Sequence, residues 1–227
     1  MRSLYLLSVM FIGAAASPAV TNNMCANYPE AKLDDDTRTT FTEGHNRFRA
    51  AVANGYAYVG QYGFSQYAED MEAMEWSCTE EGNAIKLAEE KCTKQPTAPK
   101  GFRMNTALVD KAGKTSNKAI EEALGKWRNE IMRHGMPDDL VFTDVWKNKI
   151  GHATKMIWHS SSKLACAYAD CKDKYSIVCL YSPKSNMIGK PIYKKADEWA
   201  FICTGCPKDK KCGDELDKLC YPPWALP

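Results

Sequence analysis

Four histidines are the residues of this chain best suited to acid–base or metal chemistry, and their positions allow very different things. His152 and His159 are separated by seven residues. On one helix they would stand about 10 Å apart along the axis and could not chelate a single ion. His45 falls on an apolar stripe with Phe41, Phe48 and Val52, which points to a core histidine hydrogen-bonded to backbone. His134 precedes Gly135, where a helix should end. Cys203-Thr204-Gly205-Cys206 has the spacing of a redox pair or a zinc knuckle, but in an oxidising compartment two ordinary disulfides explain it better. No GxSxG elbow, HExxH helix, phosphate-cradling glycine loop or dinucleotide fingerprint occurs.

The compartment follows from the first residues. MRSLYLLSVMFIGAAAS, residues 1–17, has one arginine, an apolar run from Leu4 to Ile12 and small residues at Ala16 and Ser17. It reads as a secretory signal peptide cut near Ala16 or Ser17, and the chain is expected to be secreted and extracellular. The apolar run is too short to span a bilayer and no second one follows, so no transmembrane segment is expected. Ten cysteines in an oxidising compartment should then form five disulfides: Cys25, Cys78, Cys92, Cys166, Cys171, Cys179, Cys203, Cys206, Cys212 and Cys220. No Asn-X-Ser or Asn-X-Thr acceptor occurs.

A length of 227 residues with 44% apolar and 11% aromatic content suffices for one sizeable core. The formal charge of +2 is spread over mixed signs, so no field steers the protein to nucleic acid or an anionic membrane. Periodicity gives the elements. Asp34 to Thr37 puts carboxylates and a capping hydroxyl ahead of the Phe41, His45, Phe48 and Val52 stripe, closed by Gly55. Ser77-Cys78-Thr79-Glu80 resembles a capping box before Ile85, Ala88 and Cys92. Ser116 should cap a third helix that buries Ile120, Leu124, Trp127 and Ile131, and a fourth helical stretch should cover 151–158. Gly60 to Gly63, and Lys94 to Lys100 with its two prolines, read as irregular.

Lys163–Tyr168 and Tyr175–Tyr181 flank a polar stretch and read as a hairpin. If Asp170 faces Tyr175, Cys166 faces Cys179. Directly opposed residues lie about 4.5 to 5.5 Å apart, within disulfide reach. The Lys- and Cys-rich segment after Pro191 should bury little apolar surface and depend on its bridges.

Three stretches carry a family resemblance. His45-Asn46-Arg47-Phe48-Arg49 resembles the HNxxR motif of the CAP superfamily, Gly151 to Trp158 resembles its GHYTQxxW motif, and Ile177 to Gly189 resembles its VCxYxPxGNxxG motif. Cys78 behind Glu75-Trp76 and the tail after Tyr193 are similar to the nematode activation-associated secreted, or venom-allergen-like, branch. The resemblance implies an α/β fold, a three-layer α-β-α sandwich over 18–195, with a short cysteine-rich C-terminal extension over 196–227.

The family's cleft carries two histidines and two glutamates, often a divalent metal site, and the correspondence to it is partial. Pro96 stands where the first histidine belongs and Met104 where the first glutamate belongs, while Glu130 and His152 match the second pair. A proline ring and a thioether are no substitute for nitrogen and oxygen zinc donors, so neither metal nor cofactor is expected. Ser160 or Ser161 near His152 with Glu130 is the only hydrolase-like set on offer, so catalysis is not expected. The resemblance therefore implies a binding protein whose partner is a host extracellular protein or cell-surface receptor, modulating immunity or haemostasis. No Arg-Gly-Asp occurs, so integrin binding would use another surface. The alternative is a sterol or fatty-acid carrier, with Tyr58, Tyr62 and Phe64 lining its mouth.

Overall fold

Two of the helices begin where a side chain accepts from a first-turn amide. In the computed structural model, which describes residues 21–226, helix α1 (Asp35–Ala53) starts with Asp34 accepting from the Thr37 amide at 2.6 Å, and Asp35 and Asp36 occupy the positive first turn. The cap is thus the Asp34 carboxylate, and Thr37 is a buried first-turn residue instead. The stretch read as a signal peptide lies outside the described residues.

Helix α2 (Cys78–Lys91) follows Ser77, but the capping box does not form. Ser77 leaves a strand with its own amide bonded to the Leu164 carbonyl, and its hydroxyl meets the Thr79 hydroxyl at 3.0 Å instead of a helix amide. Helix α3 (Ser116–His134) is capped one residue earlier than expected, by Thr115 bonded to the Lys118 amide. Ile120, Leu124, Trp127 and Ile131 face inward as the spacing requires, and the helix stops at Gly135, whose φ is 74°. Helix α4 (Asp144–Ile157) begins well before residue 151, but its backbone breaks at Ile150 (φ −130°). That break hides the first two turns from a periodicity search. It also ends before His159, so the two histidines do not share a helix.

Eight strands follow in chain order: β1 (Glu75–Trp76), β2 (Arg103–Asp110), β3 (Val141–Phe142), β4 (Lys163–Asp170), β5 (Lys174–Ser182), β6 (Lys190–Pro191), β7 (Lys211–Cys212) and β8 (Cys220–Tyr221). The main sheet has the order β1-β4-β5-β2, antiparallel except for β1 with β4. Strands β3 with β6 and β7 with β8 make separate ribbons. The hairpin register is the one argued from sequence, with Asp170 opposite Tyr175, Tyr168 opposite Ile177 and Cys166 opposite Cys179. Helix α2 covers one sheet face, over Ala165, Ala167, Val178 and Leu180. Helices α1, α3 and α4 cover the other, around Phe41, Trp127, Trp158, Ile177 and Tyr181. This is the three-layer α-β-α sandwich that the resemblance implies. At the α1–α3 crossing, a Cβ on Gly44 would come within 2.5 Å of a terminal methyl of Leu124, so a larger residue there would have to push that side chain aside.

The first motif is what ties these layers. His45 Nδ1 bonds the Phe41 carbonyl at 2.8 Å, and Nε2 meets the Tyr181 hydroxyl of β5 at 3.0 Å. Burial pushes the imidazole pKa down to about 4, so the ring is neutral at pH 7. Nδ1–H therefore donates to Phe41, and Nε2 accepts from Tyr181. Asn46 exchanges both bonds with the Met74 backbone. Arg49, fully buried, donates to the carbonyls of Glu72, Met156, Trp158 and His159. Burial lowers its pKa to about 9 against the opposing pull of Glu72 and Asp70, so it stays charged at neutral pH and clamps the end of α4 to α1. At the β1 edge the buried Arg38–Glu81 pair, joined at 2.8 and 3.0 Å, links α1 to α2, with Leu33 N and Trp76 Nε1 completing the Glu81 carboxylate.

All ten cysteines are bonded: Cys25–Cys78, Cys92–Cys171, Cys166–Cys179, Cys203–Cys212 and Cys206–Cys220. The tail contributes more to the core than its composition suggests. Ile192, Tyr193, Leu219 and Tyr221 join the main cluster, and Cys220 exchanges backbone bonds with Met71 and Ala73. Its bridges are therefore not its sole support.

Candidate functional site

The α4 break at Ile150 sets the cleft. Just after it, the amides of His152 and Ala153 point at Glu130 of α3, whose Oε2 accepts from them at 2.8 and 3.0 Å. Glu130 Oε1 lies 2.6 Å from His152 Nδ1, so one carboxylate orients the ring and caps the resumed helix together. Trp127, one helical turn before Glu130, stacks on the imidazole at 6.3 Å with an interplanar angle of 7°. Asn105 of β2 then joins this corner to the first motif, donating to the His152 carbonyl and the Tyr181 hydroxyl, both at 3.0 Å.

The other two cleft positions do not converge on this pair. Pro96 is buried in the irregular α2–β2 connection and carries no donor atom. Met104 pairs with Leu180 and packs against the α2-side cluster, on the sheet face opposite Asn105. A tetrahedral metal would find one free imidazole nitrogen and a carboxylate already engaged by three N–H groups, with the ammonium of Lys155 close enough to be influenced by Glu130. The residues present do not fit the family's metal. Two groups among the described residues have ligand-like proximity, His45 with Cys166 and Cys179, and Cys203 with Cys206 and Cys220. Every sulfur in them already belongs to a disulfide.

Nor does Ser161 assemble with His152. The Ser161 hydroxyl donates to the Pro183 carbonyl at 2.8 Å, beyond the end of α4. His159 Nδ1 lies 2.9 Å from Asp70 Oδ2, a pairing that no sequence spacing announces. His134 is the last residue of α3.

The aromatic loop presents a surface. Tyr58 and Phe64 face each other across a short antiparallel bridge, edge to face at 6.1 Å, and are 49% and 65% exposed. Tyr62 belongs to a 3₁₀ turn over Gly60–Tyr62, so the segment expected to be irregular is partly ordered. Beside Tyr58 lies a groove of about 220 Å³ whose apolar floor includes Phe48, Ala51, Ile131 and Met132, with Arg47 and Arg128 at its margin.

Comparison with known proteins gives a consistent picture. The model of the cysteine-rich secretory protein family, CAP, matches residues 42–181. Hookworm platelet inhibitor 1 of Ancylostoma caninum is 33% identical over 218 residues, which are 96% of this chain and 97% of that protein. Ancylostoma secreted protein of the same species is 31% identical over 210 residues, 89% of this chain, and this chain spans 48% of that relative's length. The crystal structure of NaASP2 with Zn2+ is 31% identical and covers 85% of this chain and 98% of its own, with a TM-score of 0.75.

Proposed function

The chain belongs to the CAP family of cysteine-rich secretory proteins, and from that membership we propose that it is a secreted, non-enzymatic protein that binds a host extracellular protein or cell-surface receptor and modulates haemostasis or immunity. The observation that carries this reading is the match to hookworm platelet inhibitor 1 along nearly the whole of both chains. The cleft supports it, since Glu130 and His152 are engaged with each other and the Ser161 hydroxyl is committed to the Pro183 carbonyl. The patch of Tyr56, Tyr58, Phe64 and Met132, flanked by Arg47 and Arg128, offers the exposed aromatic and arginine side chains that dominate protein–protein hot spots. Platelet aggregation in the presence of the secreted protein, together with cross-linking to intact platelets and leukocytes, tests the proposal. We expect one recovered surface protein and inhibition that Tyr58→Ala/Phe64→Ala weakens at least tenfold. No capture on either cell type and no effect on aggregation would overturn it.

A sterol or fatty-acid carrier is the second reading, favoured by the apolar groove beside Tyr58. At about 220 Å³ the groove lies below the usual range of about 300 to 1,000 Å³ for small-molecule sites. Extraction of labelled sterol or palmitate at stoichiometric level would make this the primary reading.

A further inference from the structure

A chain with a net charge of only +2 nevertheless gathers three cations around one recess. The recess, of about 350 Å³, lies between the start of β2, helix α4 and the loop after β5, and is lined by Arg103, Phe142, Lys147, Gly151, Lys155, Asn186 and Ile188. Gly151 and Lys155 are one turn apart on the second half of α4, and Lys147, from the turn before the break at Ile150, lines the same recess. The glycine between the lysines leaves a gap, since a Cβ there would meet nothing within 4 Å. No carboxylate lines the recess. The nearest acidic influence on Lys155, Glu130, already accepts from His152 and Ala153.

The cations lack partners of opposite charge. Lys155 donates only to the Gly151 carbonyl, at 2.9 Å, and Arg103 uses Nε on the Ser185 carbonyl, at 3.1 Å. Neither they nor Lys147 has a carboxylate within ion-pair distance among the described residues. Burial lowers the pKa of Lys155 to about 8, with Arg103 and Lys147 adding to the shift, as expected of clustered cations. The wall is not purely polar, for Phe142 and the half-exposed Ile188 form an apolar side. Asn186, also at the wall, donates to the Gly151 carbonyl and keeps a buried Oδ1 without a hydrogen-bond donor.

We propose that this recess binds a small organic carboxylate, its charged end held by Arg103, Lys155 and Lys147 and its apolar body resting on Phe142 and Ile188. The free end of the Arg103 guanidinium matches the two oxygens of a carboxylate. An N-acyl amino acid, a peptide C-terminus and a fatty acid all carry this carboxylate, and Phe142 and Ile188 would receive the apolar body of any of them. The site is separate from the aromatic patch and does not rest on the proposed host-receptor role.

Titration calorimetry on the full secreted protein, using N-acetyl-leucine, its C-terminal amide, octanoate and inorganic phosphate, tests this. We expect N-acetyl-leucine to bind and the amide not to. Lys155→Met and Arg103→Gln should each weaken binding at least tenfold, and Lys149→Gln, an exposed charge on the same helix outside the recess, should leave it unchanged. The tighter of N-acetyl-leucine and octanoate identifies the source of the carboxylate. Equal binding of acid and amide, phosphate binding as tightly as either carboxylate, no binding of either carboxylate, or full affinity in both recess variants would overturn the proposal. Two variants are used so that poor folding of one does not decide the outcome.

Discussion

His45 and His152 come from two motifs on neighbouring helices and are connected through Tyr181 and Asn105, yet they work in opposite surroundings. Around His45 every element is closed. The ring is fully buried, both nitrogens are bonded, and four residues away Arg49 holds four backbone carbonyls. Around His152 the side chain is 43% exposed, one carboxylate serves three N–H groups, and the remaining cleft positions are a proline and a methionine that packs on the other sheet face. The difference teaches that a family motif can persist for architecture and for chemistry independently. The HNxxR residues are the joints between α1, the sheet and α4, so the fold requires them. In the cleft Glu130 caps the resumed helix by accepting from two amides, so this corner is held with a proline and a methionine at the other two positions.

That contrast can be broken first at Arg49. Arg49→Met removes the donor to four carbonyls, and with a cost of roughly 1 kcal/mol or more for each group left unpaired, the loss should reach about 4 kcal/mol. Chemical denaturation would register this as a large fraction of a typical domain's stability of about 5 to 15 kcal/mol. A variant within 1 kcal/mol of the wild type would show that the clamp is not a joint.

The pH dependence comes next. An unfolded imidazole takes up a proton below about 6.5, while the buried His45 refuses one until about 4. Between those values the unfolded state binds more protons, so stability falls as pH falls through the window, by on the order of 3 kcal/mol at its lower end. In His45→Gln this part of the slope should vanish. Parallel denaturation curves of wild type and variant between pH 7 and pH 4 would contradict the assignment of His45 as a buried neutral group.

The cleft should give the smallest effects. Glu130→Ala leaves the His152 and Ala153 amides uncapped and should cost about 1 to 2 kcal/mol. His152→Ala, at a partly exposed ring, should cost less than about 1 kcal/mol. If His152→Ala proved as damaging as Arg49→Met, the division between joint and cleft would fail.

Much of this arrangement was legible in the sequence, and the misses have physical causes. The hairpin register followed from a single facing pair, because strand pairing propagates residue by residue from Asp170 and Tyr175 to Cys166 and Cys179. The α3 cap was misplaced by one because Thr115 and Ser116 are chemically equivalent candidates, and only backbone geometry chooses between them. The first half of α4 was invisible because the break at Ile150 puts its two halves out of phase. Tail burial was missed because Leu219 and Tyr221 pack on residues far away in sequence, which composition does not reveal. The cation recess was missed for the same reason: Arg103 is brought to α4 only by the sheet, and the balanced net charge conceals a local concentration. In the cleft, the four positions could be lined up along the chain, but that Met104 faces α2 emerged only from the strand register.

The most direct test of the central claim, that this cleft has lost its capacity for the family's metal, is calorimetric titration of the secreted protein with zinc, run beside His152→Ala. With a single free imidazole nitrogen and a carboxylate already shared among three N–H groups, no binding tighter than micromolar is predicted, and a chelator should leave the melting temperature unchanged because no mass-action stabilisation is removed. Micromolar or tighter binding in the wild type that disappears in His152→Ala would contradict the account.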